Sequence, residues 1–244
     1  MSYSDVEIRN DGVHRSVGEW TPTVHRLLDA LAQSGIPGLP VVLGFDDLGR
    51  EVVSFVEGEV PLYPAPAWLW HENALTSSAR MLRAVHDASV AFAADLPDDA
   101  VWRSPSHEPV EVICHNDFAP YNLAYENDEC VGVIDFDTAS PGPRLWDIAY
   151  LAYRMVPLTA PGSSDDVQIV EPLRERRLAL LAEAYGIELE PGELERVVVQ
   201  RLLELAEFTE RRAVDENEPD FERHAQQYRG DAEHLAARLA ADPV

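Results

Sequence analysis

Four residues in the middle of the chain, His115, Asp117, Asn122 and Asp135, have types and spacing suited to chemistry. Asp117 can accept a proton from an attacking hydroxyl, and Asn122 and Asp135 offer the hard oxygen atoms that a magnesium ion takes. Phosphoryl transfer asks little more of a protein, because it needs positioning and charge neutralisation rather than covalent help. The pattern runs His115-x-Asp117, then Asn122 five residues on, then Ile134-Asp135-Phe136-Asp137. Three fixed positions at roughly one in twenty each would produce the first part by chance in about 3% of such chains. Placement between two apolar runs sets it apart from coincidence. A second chemistry is open to the same region: His115, Asp117, Asp135 and Asp137 as ligands of a divalent-metal hydrolase. That reading leaves Asn122 without a role.

The elements that must position these residues can be read from periodicity. Val110 to Cys114 and Val131 to Asp135 are short apolar strands flanking the loop. Ahead of them, residues 66 to 89 predict a long helix with Leu75, Leu82 and Val85 turned inward. After them, helices are expected near 146–156, 171–185, 191–214 and 218–241. The first 57 residues read differently, as a strand-rich unit with one helix. Val6 to Arg9 and Val13 to Val17 form a hairpin around Asn10-Asp11-Gly12. A helix opens with Thr21 as N-cap and Pro22 behind it, carries the stripe Val24, Leu27, Leu28 and Leu31, and stops at Gly35. Val41 to Phe45 and Glu51 to Val56 make a second hairpin, turned at Asp46 to Gly49. The character changes at Glu57-Gly58. The expectation is therefore an α+β chain of two lobes, a β-rich lobe over 1–57 and a mostly helical lobe over 58–244 that carries a central hairpin.

Bulk composition narrows the partners. The 244 residues hold 44 acids against 19 basic residues, a net charge of -25, and every cation is an arginine. No basic patch could neutralise a nucleic-acid backbone, and an anionic membrane surface would repel the chain. Two cysteines, Cys114 and Cys130, are too few for a disulfide framework and read as reduced, buried thiols. No apolar run approaches membrane length and the N-terminus lacks a signal-peptide pattern, so cytoplasm is the default. Nothing in the sequence bears on oligomeric state.

The segment from 112 to 154, VICHNDFAPYNLAYENDECVGVIDFDTASPGPRLWDIAYLAYR, resembles the catalytic and metal-binding segments of the aminoglycoside phosphotransferase/choline kinase-like family, relatives of the protein kinases. In that branch H-x-D-x-x-x-x-N is followed by I-D-[FWL]-x, and HNDFAPYNL and VIDFD match it. LRAVHDA (82–88) and RLWDIAYLAYR extend the likeness on either side, so that it covers residues 6 to 155 and the C-terminal helices by general character. The resemblance implies a two-lobed protein-kinase-like fold with a shortened β-rich N-lobe. It implies an ATP- or GTP-dependent, Mg²⁺-assisted transfer of the γ-phosphate to a hydroxyl of a small molecule. The alternative is a non-catalytic member that only binds a nucleotide or metabolite.

Residue by residue, the resemblance makes Asp117 the catalytic base, Asn122 and Asp135 the Mg²⁺ ligands, and His115 the residue that orders the loop. Asp137 would support the metal through water, and Asp147 would hold the loop by its backbone. SFVEGE (54–59) resembles the hinge, with the Ser54 carbonyl and Val56 amide facing adenine. Only about five residues precede the Val6 strand, so a first strand and most of the phosphate-covering loop are missing from the pattern. Where a phosphate-binding lysine is expected the chain reads Gly12-Val13-His14-Arg15-Ser16, which makes Arg15 the cation and His14 the neighbouring option. Alternation puts the two on opposite faces, so only one can serve. The partner glutamate expected in the first helix is not there; Val24 or His25 falls in its register, and Glu19 is the substitute.

The acceptor is the open question. Eight acids between 204 and 222 (Glu204, Glu207, Glu210, Asp215, Glu216, Glu218, Asp220 and Glu222) would draw an aminoglycoside, choline or another amine. The simpler reading is a solvated helix face. Trp68, Trp70 and Trp146 would suit a cation cage, or else plain core packing.

Overall fold

A computed structural model describes residues 6–62, 64–163, 171–216 and 219–241, in two compact units, Met1–Asp147 and Ile148–Val244. The first unit begins with the antiparallel sheet β1 (Glu7–Arg9), β2 (Gly12–Arg15), β3 (Val42–Phe45) and β4 (Glu51–Val53), in the order β1-β2-β4-β3. Its register places Ile8 opposite Val13, Val13 opposite Val53, and Arg15 opposite Glu51. Because side chains alternate, Val13 and Arg15 share one face and His14 takes the other. Helix α1 (Thr21–Ala32) buries Val24, Leu27, Leu28 and Leu31, the expected stripe. Burial of each such leucine contributes roughly 2 kcal/mol relative to an exposed one. The N-cap lies one residue earlier than expected, at Trp20, which makes no side-chain cap bond. Thr21 is already helical, and its hydroxyl instead accepts from the Gly18 amide at 2.9 Å.

The change of character at Glu57-Gly58 lies inside this first unit. Beyond it, a short 3-10 turn (Ala67–Trp70) leads into α2 (Glu72–Ala94), where Leu75, Leu82 and Val85 are buried as expected. Four short strands follow: β5 (Val112–Cys114), β6 (Leu123–Glu126), β7 (Glu129–Val133) and β8 (Ser140–Gly142). The two strands read from sequence do not pair with each other. β5 pairs with β8, and β7 pairs with β6 in a hairpin turned at Asn127-Asp128. Both turn residues have positive φ, 50° and 58°, the geometry of the tight hairpin turn whose twist matches its strands. The new partners are short and hard to read: LAYE has four residues, and SPG is a proline-glycine run that propensity assigns to a loop.

Gly38 ties the sheet to this hairpin. Its carbonyl accepts from the Val133 amide at 2.9 Å, its φ is +73°, and a Cβ there would fall 1.8 Å from the Val131 carbonyl oxygen. Only glycine permits both the conformation and the approach.

Helix α3 (Arg144–Met155) starts in the first unit and runs into the second, which also holds α4 (Glu171–Tyr185), α5 (Glu193–Glu216) and α6 (Pro219–Ala241). The expected helices match these within about two residues, the usual uncertainty of helix ends. In this unit α5 packs along α6. Arg177, buried, donates from Nε and Nη2 to the Met155 carbonyl at 3.0 and 2.8 Å, placing its charge at the negative end of α3. Among the described residues no helix is long and apolar enough to cross a membrane.

Candidate active site

The loop that follows β5 is held from behind by one carboxylate. Asp147, fully buried, accepts from the His115 amide at 2.6 Å and from the Asn116 amide at 2.8 Å. His86 of α2 lies 3.1 Å from the same carboxylate. Burial, the largest single influence, would raise the Asp147 pKa, but the His86 hydrogen bond, the His86 and His115 rings and the His115 amide together outweigh it, and the group is held below 3.8. Asn116 takes a left-handed conformation, φ 63°, which asparagine tolerates, and its amide nitrogen reaches the Thr138 carbonyl and Ser140 hydroxyl, both at 2.8 Å.

His115 links the loop to the strand that ends at Asp135. Its Nδ1 accepts from the Asp117 amide at 3.2 Å and its Nε2 donates to the Ile134 carbonyl at 2.9 Å, which assigns the Nε2–H tautomer from the bonding pattern. Both ring nitrogens are used by the protein, so His115 has none to offer an ion. Among the described residues the one group with metal-like spacing is His86, Cys114 and Asp147, which lies behind the loop; His86 and Asp147 bond each other, and the Cys114 thiol donates to the Pro143 carbonyl at 3.3 Å. The four-ligand hydrolase set therefore does not assemble.

Asp117 is bonded on both oxygens. Oδ1 accepts from the Tyr121 hydroxyl at 2.6 Å, and Oδ2 accepts from Asn122 Nδ2 at 2.9 Å. The same Nδ2 donates to the Asp117 carbonyl, also at 2.9 Å. With its amide nitrogen committed to Asp117, Asn122 keeps its Oδ1 free of protein partners among the described residues. Asp135 follows β7 in a left-handed conformation, φ 62° and ψ 67°, and its side chain is 30% exposed.

Arg15 reaches this carboxylate from the sheet. Its Nη1 donates to Asp135 at 3.2 Å, and its Nη2 donates to Glu51 at 2.8 Å and Asp137 at 3.1 Å. Burial works against the Arg15 charge, yet Asp137, Glu51 and Asp135 together raise its pKa above the ordinary arginine value. Asp137 shows the opposite balance: burial, with the nearby Asp135 and Glu51 charges, raises its pKa despite Arg15. Arg103 stands 3.9 Å from Asp137 and 4.6 Å over the Trp20 ring. His14 faces away, bonded to Asp46 at 3.0 Å and Asp11 at 3.1 Å, so of the two candidate cations only Arg15 lies beside Asp135.

Two sequence expectations need correction. Glu19 is exposed and has no ion pair among the described residues; the acid on Arg15 is Glu51, which also bonds His25 of α1 at 2.7 Å. The three tryptophans do not build one cage, since Trp146 stacks on His107 at 4.1 Å and Trp68 leans on Tyr125 at 5.1 Å. Of the acids between 204 and 222, Glu218 and the side chains of Asp215 and Glu216 lie outside the described residues. Glu210 forms a surface ion pair with Arg229.

In the hinge-like segment the Ser54 amide donates to the Val41 carbonyl at 2.8 Å, and Glu59 pairs with Tyr125 in both directions. Between them, the Ser54 carbonyl and Val56 amide have no hydrogen-bond partner among the described residues. Sequence reading missed Glu51, Tyr121, His86 and Arg103. A charged residue heading the apolar run EVV was the available signal for Glu51.

A family model described as the phosphotransferase enzyme family matches residues 68–197. The trifolitoxin immunity protein of Rhizobium leguminosarum bv. trifolii is 30% identical over 223 residues, covering 88% of this chain and 83% of that protein. Among solved structures, a putative aminoglycoside phosphotransferase from Ralstonia eutropha superposes with a TM-score of 0.67 at 17% identity, covering 94% of this chain and 86% of that one. An amicoumacin kinase, solved with AMP-PNP and Ca²⁺, superposes with a TM-score of 0.64 at 12% identity, covering 96% and 89%. At such identities the structural likeness shows the fold, the α+β kinase-like class expected from the sequence.

Proposed function

Since the chain belongs to the phosphotransferase enzyme family, we propose that it moves the γ-phosphoryl group of ATP or GTP to a hydroxyl of a small molecule. The observation that carries this reading is the Asp117–Asn122 bond at 2.9 Å on a loop whose backbone Asp147 clamps. It fixes the orientation of a carboxylate able to accept a proton and leaves Asn122 with an oxygen for a cation.

Asp117 accepts the proton of the acceptor hydroxyl as its oxygen attacks phosphorus. Asn122 Oδ1 and the Asp135 carboxylate are hard oxygen donors that fit Mg²⁺ and would hold it. The ion would supply charge neutralisation at the phosphate oxygens. Arg15 grips phosphate with a fork of donors, and its constant charge makes it a chemically sound replacement for lysine. His115 fixes the loop against Ile134 and is not itself a proton carrier here. The free Ser54 carbonyl and Val56 amide suit the edge of a nucleobase.

The acceptor class is best sought among hydroxyl-bearing antimicrobial compounds. The relative's name carries immunity to a toxin, and two structural neighbours are named for antibiotics. An amine alcohol is the second choice, given the net charge of -25. The test is nucleotide consumption across a panel of acceptors, run with native protein and Asp117→Asn. Loss of turnover by about a thousandfold is expected, and equal turnover in the two would remove Asp117 from the role of base.

A non-catalytic nucleotide-binding protein is the second reading, and the Arg15–Asp135 contact favours it, because the cation sits on a proposed metal ligand. Stabilisation by Mg-ATP without transfer to any acceptor in the panel would select it.

A further inference from the structure

We infer that Glu51, delivered by strand β4 and secured by His25, is the positioning residue that holds the Arg15 cation and limits its hold on Asp135 to one long contact from Nη1. The inference rests on the reading of Arg15 as the phosphate-binding cation.

Helix α1 has no acid to offer Arg15. Its sequence TPTVHRLLDALA contains one, Asp29, and that residue is exposed. Glu51 takes the place from across the sheet, directly opposite Arg15 in the β2–β4 register. Its side chain is 2% exposed and both oxygens are engaged, Oε1 with Arg15 Nη2 at 2.8 Å and Oε2 with His25 Nε2 at 2.7 Å. A carboxylate buried this deeply is tolerable only when its lone pairs are satisfied. His25 does this from α1, with the Phe45 ring 5.5 Å from its own. The helix thus contributes a hydrogen-bond partner to the acid, not the acid itself.

Arg15 is shared among three carboxylates. Glu51 and Asp137 share Nη2, at 2.8 and 3.1 Å, while Asp135, which like Asp137 belongs to the segment after β7, takes Nη1 at the longest distance of the three, 3.2 Å. If Glu51 loses its charge, the cation is shared between Asp135 and Asp137 alone, and its contact with Asp135 tightens. The carboxylate proposed for Mg²⁺ is then held more firmly by a protein cation. Glu51 therefore acts on both ligands: it aims the fork that meets phosphate, and it weakens the competition of Arg15 with the ion for Asp135.

The experiment uses Mn²⁺ as the probe ion and follows its binding by electron paramagnetic resonance, without nucleotide, alongside the nucleotide KM. Glu51→Gln should weaken Mn²⁺ binding and raise the nucleotide KM, each about tenfold, the scale of one charge-assisted hydrogen bond. In an Arg15→Met background the same Glu51→Gln change should leave Mn²⁺ binding unaltered, because no cation remains to compete. An equal loss in both backgrounds would mean that Glu51 acts only as a distant charge, and would overturn the inference. Should Glu51→Gln fail to fold, His25→Phe keeps the ring against Phe45 and removes the bond to Oε2. It should move both readouts the same way, and unchanged values would overturn the inference. Arg15→Met alone separates the two readings. If it leaves the nucleotide KM unchanged, the phosphate role of Arg15 fails; if it raises KM while Glu51→Gln does not, only the positioning role fails.

Discussion

The Tyr121 hydroxyl donates to Asp117 Oδ1 at 2.6 Å, so an oxygen of the proposed base is already capped by a phenol. An acceptor hydroxyl must displace or share that contact, and so must water. Tyr121→Phe should therefore raise nucleotide hydrolysis in the absence of acceptor by about tenfold, the scale of one lost charge-assisted hydrogen bond. Phosphate release without acceptor measures it, and an unchanged basal rate would show that the phenol does not guard the base.

Asp147 should set the acid stability of the first unit. Its pKa is held below the ordinary 3.8 in the folded chain, so folding favours its ionised form. The sign follows: its stabilisation is complete above about pH 4 and fades as pH falls through the lower folded value. Asp147→Asn removes that contribution and leaves the His86 and amide partners poorly matched. It should cost about 3 to 5 kcal/mol at neutral pH, and the penalty should shrink toward pH 2. Urea midpoints at pH 7 and pH 2.5 test this; a constant penalty would contradict the linkage.

The parts of this molecule legible in its sequence are those whose cause is local. HNDFAPYN and VIDFD state residue type and spacing directly, and the stripe Val24, Leu27, Leu28, Leu31 follows from helical period alone. Opposite-face placement of His14 and Arg15 needed only strand alternation. What stayed hidden depends on which strands meet. Glu51 bonds Arg15 across 36 residues and His25 across 26, and no local pattern encodes the register that joins them. β8 was invisible because SPG has no strand propensity; its pairing with β5 comes from tertiary contact. The Tyr121–Asp117 bond is only four residues long, yet it depends on the loop conformation that Asp147 imposes.

The cysteines should be inert in the folded protein. Cys114 and Cys130 are both buried free thiols, and burial pushes Cys130 up to about 12. A thiol reacts as its thiolate, so Cys130 has neither access nor ionisation at pH 8. Thiol titration with an aromatic disulfide reagent should find no reactive group in native protein and both in denaturant. Rapid labelling of native protein would contradict the burial.

Gly38 and Gly35 separate two costs that glycine hides. Both have φ +73°, so alanine at either pays the left-handed penalty, about 1 kcal/mol. At Gly35 a Cβ meets nothing within 4 Å, and Gly35→Ala should cost no more than that. At Gly38 the Cβ would lie 1.8 Å from the Val131 carbonyl oxygen and 2.6 Å from the Gly132 Cα, both backbone atoms that cannot step aside as a side chain can. Relief requires the segment to lift from β7, losing the bond from the Val133 amide. Gly38→Ala should therefore cost about 3 kcal/mol or more, adding the lost bond and repacking to the conformational penalty. Denaturant midpoints for the two variants give the comparison directly. Equal costs would show that the sheet and the β6–β7 hairpin are not held together through Gly38.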